Sequence, residues 1–319
     1  MFQRIWQRSM IALARSERTK QFMQSSRATS FLRGKYVAGE KEADGVQRAF
    51  LLLQDQGIRS SLFYMGEYVD TLDLVTQNVE SKITVANALQ YEGLDIHVSV
   101  DPTQIGHHID PSLVADHAYR IAKTIKTAIG NKEAGVNCLM FDMEDASLNA
   151  PTIAIHNRLQ DEEFPVALTL QAYLHRTESD LAEQIARGSR VRLVKGAFAA
   201  GADLAFQSTA EIKNNSRKLI AMMLSKTARE SGFYPIIATH DSRLHDFAIA
   251  QARLNDWQPG SYEFEMLLGV REDIARGLAG KGERVRLYVP FGRDWWPHAA
   301  RRIGENPANA SLLIRSLAS

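Results

Sequence analysis

Eight short apolar runs alternate with longer helical patterns along this chain, and that alternation constrains the fold more than any other feature. The runs are rich in β-branched and aromatic residues and cover residues 58–66, 94–100, 136–144, 165–173, 190–197, 234–240, 261–269 and 284–292. The segments between them have helical spacing, and Gly130 and Gly188 stand where helices should end. Strand and helix repeated eight times predict an α/β fold in which a parallel sheet closes into a distorted (βα)8 TIM-type barrel.

An open, doubly wound sheet is the alternative arrangement of the same elements. Such sheets bind dinucleotides at a G-x-G-x-x-G turn after a strand, and no such turn follows any of the eight runs. We therefore favour the barrel and place it at residues 51–319, together with C-terminal helices. Residues 1–50 have a helical pattern and are predicted to form an N-terminal helical arm.

The net charge and the cysteine content indicate which binding partners and which cellular compartment suit this chain. A formal net charge of +1 gives no overall attraction to nucleic acid. The single cysteine, Cys138, excludes an intramolecular disulfide and suits a reducing compartment, which predicts a cytoplasmic protein. No apolar run reaches the ~18 residues that a membrane span requires. The first 22 residues are basic and amphipathic, so peripheral contact with the inner membrane stays open as an expectation.

Polar side chains end most of the predicted strands. In a barrel of this kind, functional residues gather at the carboxyl ends of the strands, where the interior would otherwise hold Val, Ile and Leu. Each such residue has an ordinary structural explanation when it is taken singly, but together they predict a functional site. The set is Glu67, Asp101, Asp142, Glu144, Gln171, Tyr173, Arg192, Lys195, Thr239, His240, Glu263, Glu265 and Tyr288.

Five ordered blocks resemble one family of enzymes. They are FDMEDAS, LTLQAYL, VRLVKGA, IIATHD and YVPFGRDWWPHAARRIGENPAN, and together they resemble the FAD-dependent proline dehydrogenases of the monofunctional bacterial type. The resemblance covers roughly residues 58–310, strand by strand. It implies FAD at the carboxyl face and hydride transfer to flavin N5 from the proline carbon beside the nitrogen. The product would be pyrroline-5-carboxylate, and the electrons would pass to a quinone.

The resemblance also implies a set of cofactor-binding residues. Arg192 corresponds to a catalytic arginine near flavin N5, where a cation stabilises the reduced cofactor. Gln171 corresponds to an amide at the flavin ring edge, Lys195 and Gly196 to the loop under the phosphates, and Thr239 to a contact with the adenosine half. The complete set is Met143, Gln171, Arg192, Lys195, Gly196, Ala197, Ala199, Thr239 and His240.

The substrate pocket is implied in the same way. Arg301 and Arg302 correspond to a pair that clamps the substrate carboxylate, for which the guanidinium fork is suited. Tyr288 corresponds to an aromatic wall, and Asp142 to a catalytic aspartate beneath the proline ring.

Two positions depart from the family pattern. Asp101 stands where the family has a lysine that pairs with the residue corresponding to Asp142, so two carboxylates would face one another. Such a pair raises one pKa or recruits a cation. His298 replaces a tyrosine that packs on the substrate ring, and it is more polar and titratable. Asp101 and His298 both belong to the predicted substrate site, which leads to the hypothesis of a paralogue whose substrate is hydroxyproline or an N-methylated proline. Binding of proline itself is equally compatible with the sequence.

Other classes of protein stay open from the residues alone. Lys195 at a strand end could form the Schiff base of a barrel aldolase. His107, His108, Asp142, Glu144 and His240 could be metal ligands, but their spacing matches no known metal motif, so we predict no metal site. A non-catalytic flavin-binding paralogue is a further alternative.

Overall fold

A computed structural model of the chain describes residues 30–66, 69–91, 93–130 and 135–305, together with residues 16, 19, 22 and 23. Side chains are described for residues 33–300 within those ranges and for the four earlier positions.

Eight parallel strands form a closed barrel in sequence order, and the last strand pairs with the first. Each strand lies inside the run predicted for it, so the barrel prediction is confirmed and the open sheet is wrong. The strands are β1 Arg59–Tyr64, β2 His97–Val100, β3 Cys138–Phe141, β4 Val166–Gln171, β5 Arg190–Val194, β6 Tyr234–Ala238, β7 Glu263–Leu267 and β8 Val285–Phe291.

Helices follow the strands and cover the outside of the barrel. Two short 3-10 helices, at Pro102–Ile105 and Ala146–Leu148, come directly after β2 and β3. The α-helices are α1 Ser30–Tyr36, α2 Glu42–Gln56, α3 Leu72–Tyr91, α4 Ser112–Ile129, α5 Asn149–Asp161, α6 Thr177–Ala186, α7 Thr209–Met223, α8 Lys226–Glu230, α9 Ser242–Leu254, α10 Glu272–Gly280 and α11 Trp295–Glu305.

The main core lies between the sheet and this outer layer of helices. Strands β2, β3 and β4 are buried along their whole length, as parallel strands covered by helices must be. The helices bury an apolar face in this core. In α4, for example, Val114, Ala118, Ile121 and Ile125 form one buried stripe at helical spacing.

The predicted boundary between arm and barrel, at residue 50, falls within α2. This helix packs against β1 and β8, and a side chain at Gly45 would come within 3.1 Å of the Phe291 ring. Most of residues 1–29 lie outside the described part, so the division of the chain stays a prediction. Among the described residues, no helix is both long and apolar enough to cross a membrane.

Charged residues fill the amino-terminal end of the barrel interior. Arg286 is fully buried and donates to Glu263 and to Asp95, each at 2.7 Å, and to the Ser60 carbonyl at 2.7 Å. Glu263 was expected among the strand-end residues of the functional face, and that expectation is wrong; Glu67, from the same set, lies outside the described residues. Glu263 is the first residue of β7, so it belongs to the opposite end of the barrel, where it neutralises a buried arginine.

Candidate active site

Arg192 lies at the centre of the carboxyl-terminal half of the barrel. Its side chain, 5% exposed, extends from β5 and donates from Nη1 to Asp142 Oδ1 at 2.7 Å and from Nη2 to Ser99 Oγ at 3.0 Å. Burial opposes the charge, but Asp142 and then Glu265 outweigh burial and raise the pKa above that of an ordinary arginine. A permanent cation therefore ties β5 to β2 and to the end of β3.

Asp142 is held from two sides. Besides Arg192, the Tyr288 hydroxyl on β8 donates to Asp142 Oδ2 at 2.8 Å. Burial, and then Asp142 and Asp101, raise the pKa of Tyr288, which keeps the hydroxyl protonated as a donor. The Tyr288 ring lies 5.4 Å from the Arg192 guanidinium carbon, within the range of a cation–π contact. The structure thus brings together three residues that were assigned separately from the sequence.

Glu265 completes this cluster, although no role was assigned to it from the sequence. Its Oε2 lies 3.0 Å from Arg192 Nε, yet neither carboxylate oxygen accepts a well-aligned hydrogen bond from the described residues. Burial raises the pKa of Glu265 to about 7, and Arg192 opposes that rise. A buried carboxyl group, whose two oxygens lack well-aligned donors among the described residues, therefore lies beside Arg192.

Gln171 is the last residue of β4. Among the described residues, its side-chain amide nitrogen is hydrogen-bonded, whereas its amide oxygen is not. Its Nε2 donates to the carbonyls of Met143 at 3.2 Å and Glu144 at 3.1 Å. Its Oε1 is buried and accepts no hydrogen bond from the described part of the chain. An open, buried acceptor is costly unless a ligand donates to it, so this oxygen fits a bound donor.

The loop after β5 carries Lys195, Gly196, Ala197 and Ala199. Gly196 has a φ of +94°, and a Cβ there would lie 2.1 Å from the Tyr173 ring, so the loop can approach Tyr173 only as glycine. Lys195 is exposed, whereas a Schiff-base lysine is activated by desolvation. The structure therefore gives no support to the aldolase alternative.

The segment after β6 places Thr239 and His240. Thr239 Oγ1 accepts from the Asp241 amide at 3.1 Å, and His240 Nε2 accepts from the Leu267 amide at 3.0 Å. That second bond assigns the His240 proton to Nδ1. Lys195 and Thr239 both line a cavity of about 100 Å³ between the ends of β5 and β6 and helices α7 and α9. Predicted cofactor residues from two strands therefore share one cavity.

Helix α11 follows β8 and contains Arg301 and Arg302. The helix begins with Trp295 and Trp296, which are buried in one cluster with Tyr36 of α1 and Phe63 of β1. His298 is also buried, at 9% exposed. The side chains of the two arginines lie outside the described residues, so their role as a carboxylate clamp stays a prediction.

Asp101 follows β2, and a buried lysine that sequence analysis missed lies near it. Lys82, on α3, is 0% exposed, and its Nζ donates to Gln104 Oε1 at 2.9 Å. Burial lowers the pKa of Lys82 to about 7, whereas Asp101 and Asp142 act to raise it. A buried lysine therefore lies within electrostatic range of the two carboxylates that were expected to face one another.

A signal in the sequence could have identified Lys82. It falls on the apolar stripe of α3 at helical spacing, where a lysine is out of place unless it has a buried partner. The buried stripe consists of Val75, Asn78, Val79, Lys82, Val85, Ala86 and Leu89.

The candidate metal ligands do not form a metal site in the part of the chain that the structure describes. No three His, Cys, Asp or Glu residues there lie close enough to hold one metal ion. His107 and His108 are neighbours with ring centroids 5.9 Å apart, in the loop after β2.

Known proteins share both the sequence pattern and the fold. A family model described as Proline dehydrogenase matches residues 46–315. Proline dehydrogenase 2 of Bacillus subtilis (strain 168) is 30% identical over 265 residues, covering 83% of this chain and 84% of that protein. Proline dehydrogenase of Deinococcus radiodurans is 30% identical, and the alignment covers 99% of each chain.

Solved structures show the same barrel at lower identity. Proline utilization A (PutA) from Bdellovibrio bacteriovorus, in a form inactivated by N-propargylglycine, superposes with a TM-score of 0.78 and 19% identity. The superposition covers 89% of this chain but 34% of that longer one, and at this identity it supports the fold alone. The family model and the full-length relatives carry the assignment: the chain belongs to the proline dehydrogenase family.

Proposed function

We propose that this chain oxidises L-proline, or a close cyclic relative, to the cyclic imine and passes the electrons to a quinone. The observation that carries the proposal is the buried Arg192–Asp142–Tyr288 cluster at the carboxyl face of a barrel whose residues 46–315 match the family. Enzymes of this family are FAD-dependent oxidoreductases.

The described residues fit FAD on three observations. Gln171 Oε1 is a buried acceptor that lacks a donor, as the edge of a flavin ring would supply. Gly196 keeps the loop after β5 free of a Cβ, which suits a loop that backs onto phosphates. Lys195 and Thr239 line one cavity, and Lys195 offers a point charge for a phosphate.

Bound FAD would accept a hydride from the substrate carbon beside the ring nitrogen. Arg192, as a permanent buried cation, would stabilise the negative charge that this transfer brings into the site. Asp142 is fixed by Arg192 and Tyr288, so its carboxylate keeps one orientation toward the substrate. The Tyr288 ring, beside that carboxylate, would form an aromatic wall of the substrate pocket. Arg301 and Arg302 would bind the substrate carboxylate.

The two departures from the family pattern, Asp101 and His298, are no longer equal reasons to expect a substrate other than proline. The buried Lys82 interacts electrostatically with Asp101, which weakens one of the two reasons to expect a substrate other than proline. His298 remains as the other reason. A buried imidazole can bond a hydroxyl group, so hydroxyproline is the second candidate substrate, followed by N-methylated proline.

The electron acceptor and the membrane contact are parts of the same proposal. Quinones of respiratory membranes are confined to the bilayer, so reducing one requires the protein to reach the membrane surface. No helix among the described residues could enter the bilayer as a span, which favours peripheral contact. The basic segment 1–22, mostly outside the described residues, is the candidate for that contact.

An anaerobic flavin-bleaching screen tests the proposal. The purified FAD-loaded protein is mixed with L-proline, hydroxyproline, N-methylproline and proline betaine in turn, and a quinone is then added. Fastest bleaching by L-proline, reversed by the quinone, supports the proposal, and fastest bleaching by hydroxyproline or N-methylproline supports the second candidate. Bound flavin that none of the four bleaches would overturn both and favour a non-catalytic paralogue.

A further inference from the structure

Glu265 is a buried carboxyl group that has no role in the reaction proposed above. It lies in the middle of β7, is 3% exposed, and its Oε2 lies 3.0 Å from Arg192 Nε. In the closed barrel β7 stands opposite β3, after which Asp142 follows. The carboxyl groups of Glu265 and Asp142 therefore approach Arg192 from opposite sides of the barrel.

The contact between Glu265 and Arg192 is close but lacks hydrogen-bond geometry. Neither oxygen of Glu265, and not Arg192 Nε either, has a well-aligned hydrogen-bond partner among the described residues. An ionised carboxylate that is excluded from water and lacks donors is far more costly than the neutral acid. The geometry around Glu265 therefore favours a protonated carboxyl group.

Arg192 already has an ionised partner on its other side. Asp142 Oδ1 accepts from Arg192 Nη1 at 2.7 Å, and Asp142 Oδ2 accepts from the Tyr288 hydroxyl at 2.8 Å. If Glu265 were also ionised, one cation would face two carboxylates, and such crowding drives a proton onto one of them. Asp142 has donors for both of its oxygens, so the proton belongs on Glu265.

Charged groups from four elements of the barrel act on Glu265, and they are Arg192, Arg286, Glu263 and Asp142. Burial raises the pKa of Glu265 to about 7; the two arginines oppose that rise, and the two carboxylates support it. Arg286 is also bound by Glu263 and Asp95, each at 2.7 Å, so its charge is shared. Glu265 therefore keeps its proton up to about neutral pH and releases it above.

We propose that Glu265 is a positioning residue that acts through Arg192 as a neutral carboxylic acid. Reduction of the flavin by two electrons and one proton adds one negative charge to the site, and Arg192 is the cation that would stabilise it. Protonated Glu265 leaves the charge of Arg192 in place, whereas ionised Glu265 compensates it and makes reduction less favourable. This inference deepens the proposed oxidation of proline and rests on it for the place of Arg192 beside the cofactor.

Two neutral variants and a control test the inference. Glu265→Gln keeps the shape and polarity of the neutral acid, and Glu265→Met keeps only its length, so an effect common to both comes from the lost ionisation. The methionine variant also stands in if the glutamine variant does not fold. Glu230→Gln is the matched control, because Glu230 is an exposed glutamate on α8 whose Oε1 lies 3.7 Å from Lys226 Nζ.

The first measurement is an anaerobic redox titration of the bound FAD at pH 6 and pH 8.5, in which dithionite supplies the electrons and water the proton. The equilibrium constant for reduction is compared with that of the unmodified protein. In both Glu265 variants this ratio should rise about fivefold or more between the two pH values, because only the unmodified protein gains a carboxylate beside Arg192. The ratio for Glu230→Gln should stay constant. A ratio for the Glu265 variants that stays constant, or falls with pH, would overturn the inference.

The second measurement is the infrared spectrum of the same four proteins in the oxidised state. At pH 6 the C=O stretching band of a protonated carboxyl group should be present in the unmodified protein and in Glu230→Gln and missing from both Glu265 variants. Four identical spectra would show that Glu265 is ionised and would refute the inference. Neither measurement uses a substrate, so both remain decisive if L-proline fails to bleach the flavin, a result that would count against the proposed function alone.

Discussion

Arg192 on β5 and Asp142 directly after β3 form a buried ion pair of 2.7 Å that crosses the interior of the barrel. The two residues belong to strands that are not neighbours in the sheet, so the contact spans the space above β4. The Tyr288 hydroxyl binds the other oxygen of Asp142, and Glu265 lies beside Arg192 Nε. One cation thus organises the centre of the carboxyl face.

Arg192→Ala should slow flavin reduction about a hundredfold or more at saturating L-proline, because the site loses its stabilising cation. It should also lower the free energy of unfolding by roughly 3–5 kcal/mol, since Asp142 and Glu265 remain buried without their partner. Stopped-flow bleaching and urea unfolding measure the two effects. Arg158→Ala, at an exposed arginine 3.8 Å from Glu162, should change neither, and an unaltered reduction rate in Arg192→Ala would refute the assigned role.

Arg301→Lys and Arg302→Lys should each raise the KM for L-proline roughly tenfold, because a point charge cannot bind a carboxylate with two parallel hydrogen bonds. The amount of FAD that copurifies should stay near that of the unmodified protein. Arg276→Lys, at an exposed arginine on α10, serves as the control. Loss of FAD from both clamp variants would show that the two arginines bind the cofactor instead.

Gly196→Ala should reduce FAD retention, because the added Cβ would lie 2.1 Å from Tyr173 and the φ of +94° is unfavourable for alanine. The flavin-to-protein ratio after purification measures the effect. The control is Gly277→Ala in α10, where, outside its own helix backbone, no described residue has an atom within 4 Å of the new Cβ. There the helix should gain about 0.5–1 kcal/mol and keep its flavin. Equal flavin content in the two variants would contradict the role of the loop.

Glu265→Gln should change how stability depends on pH. Burial raises the pKa of Glu265 in the folded state from 4.5 to about 7, so the folded protein binds the proton more tightly than the unfolded chain does. The stabilisation from that proton is complete below the unfolded pKa and is lost as the pH rises through about 7. Glutamine resembles the protonated carboxyl group and does not titrate.

The variant should therefore be more stable than the unmodified protein at pH 8, by on the order of 2 kcal/mol, and nearly equal to it at pH 5. Unfolding by urea at both pH values checks this. The groups acting on Glu265 are Arg192, Arg286, Glu263 and Asp142, and all four are unchanged in the variant. The same difference at both pH values would mean that Glu265 does not titrate in this range.

The sequence predicted the barrel and the polar residues at its carboxyl face because both depend on local pattern. Alternation of strand and helix identifies eight strands, and every observed strand lies within its predicted run. Asp142 could be selected because it comes near the end of an apolar run. Arg192 and Tyr288 could be selected because they are polar residues within runs where the barrel interior otherwise holds Val, Ile and Leu. Glu263 was misplaced because it stands third in the run 261–269 but is the first residue of β7, and the pattern does not mark the residue at which a strand begins.

Which charges meet inside the barrel was decided only by the tertiary structure. Lys82 lies 60 residues before Asp142 in the chain, and its place on an apolar stripe shows that it is buried but not what it faces. Its contact with Gln104 exists because β1, β2 and α3 pack together, which turns a lysine of one helix into a neighbour of two strand ends. The sequence by itself determined the barrel and the residue types at its rim. The packing of side chains from distant segments determined which of those residues share a buried charge, because the cost of burial depends on every neighbour at once.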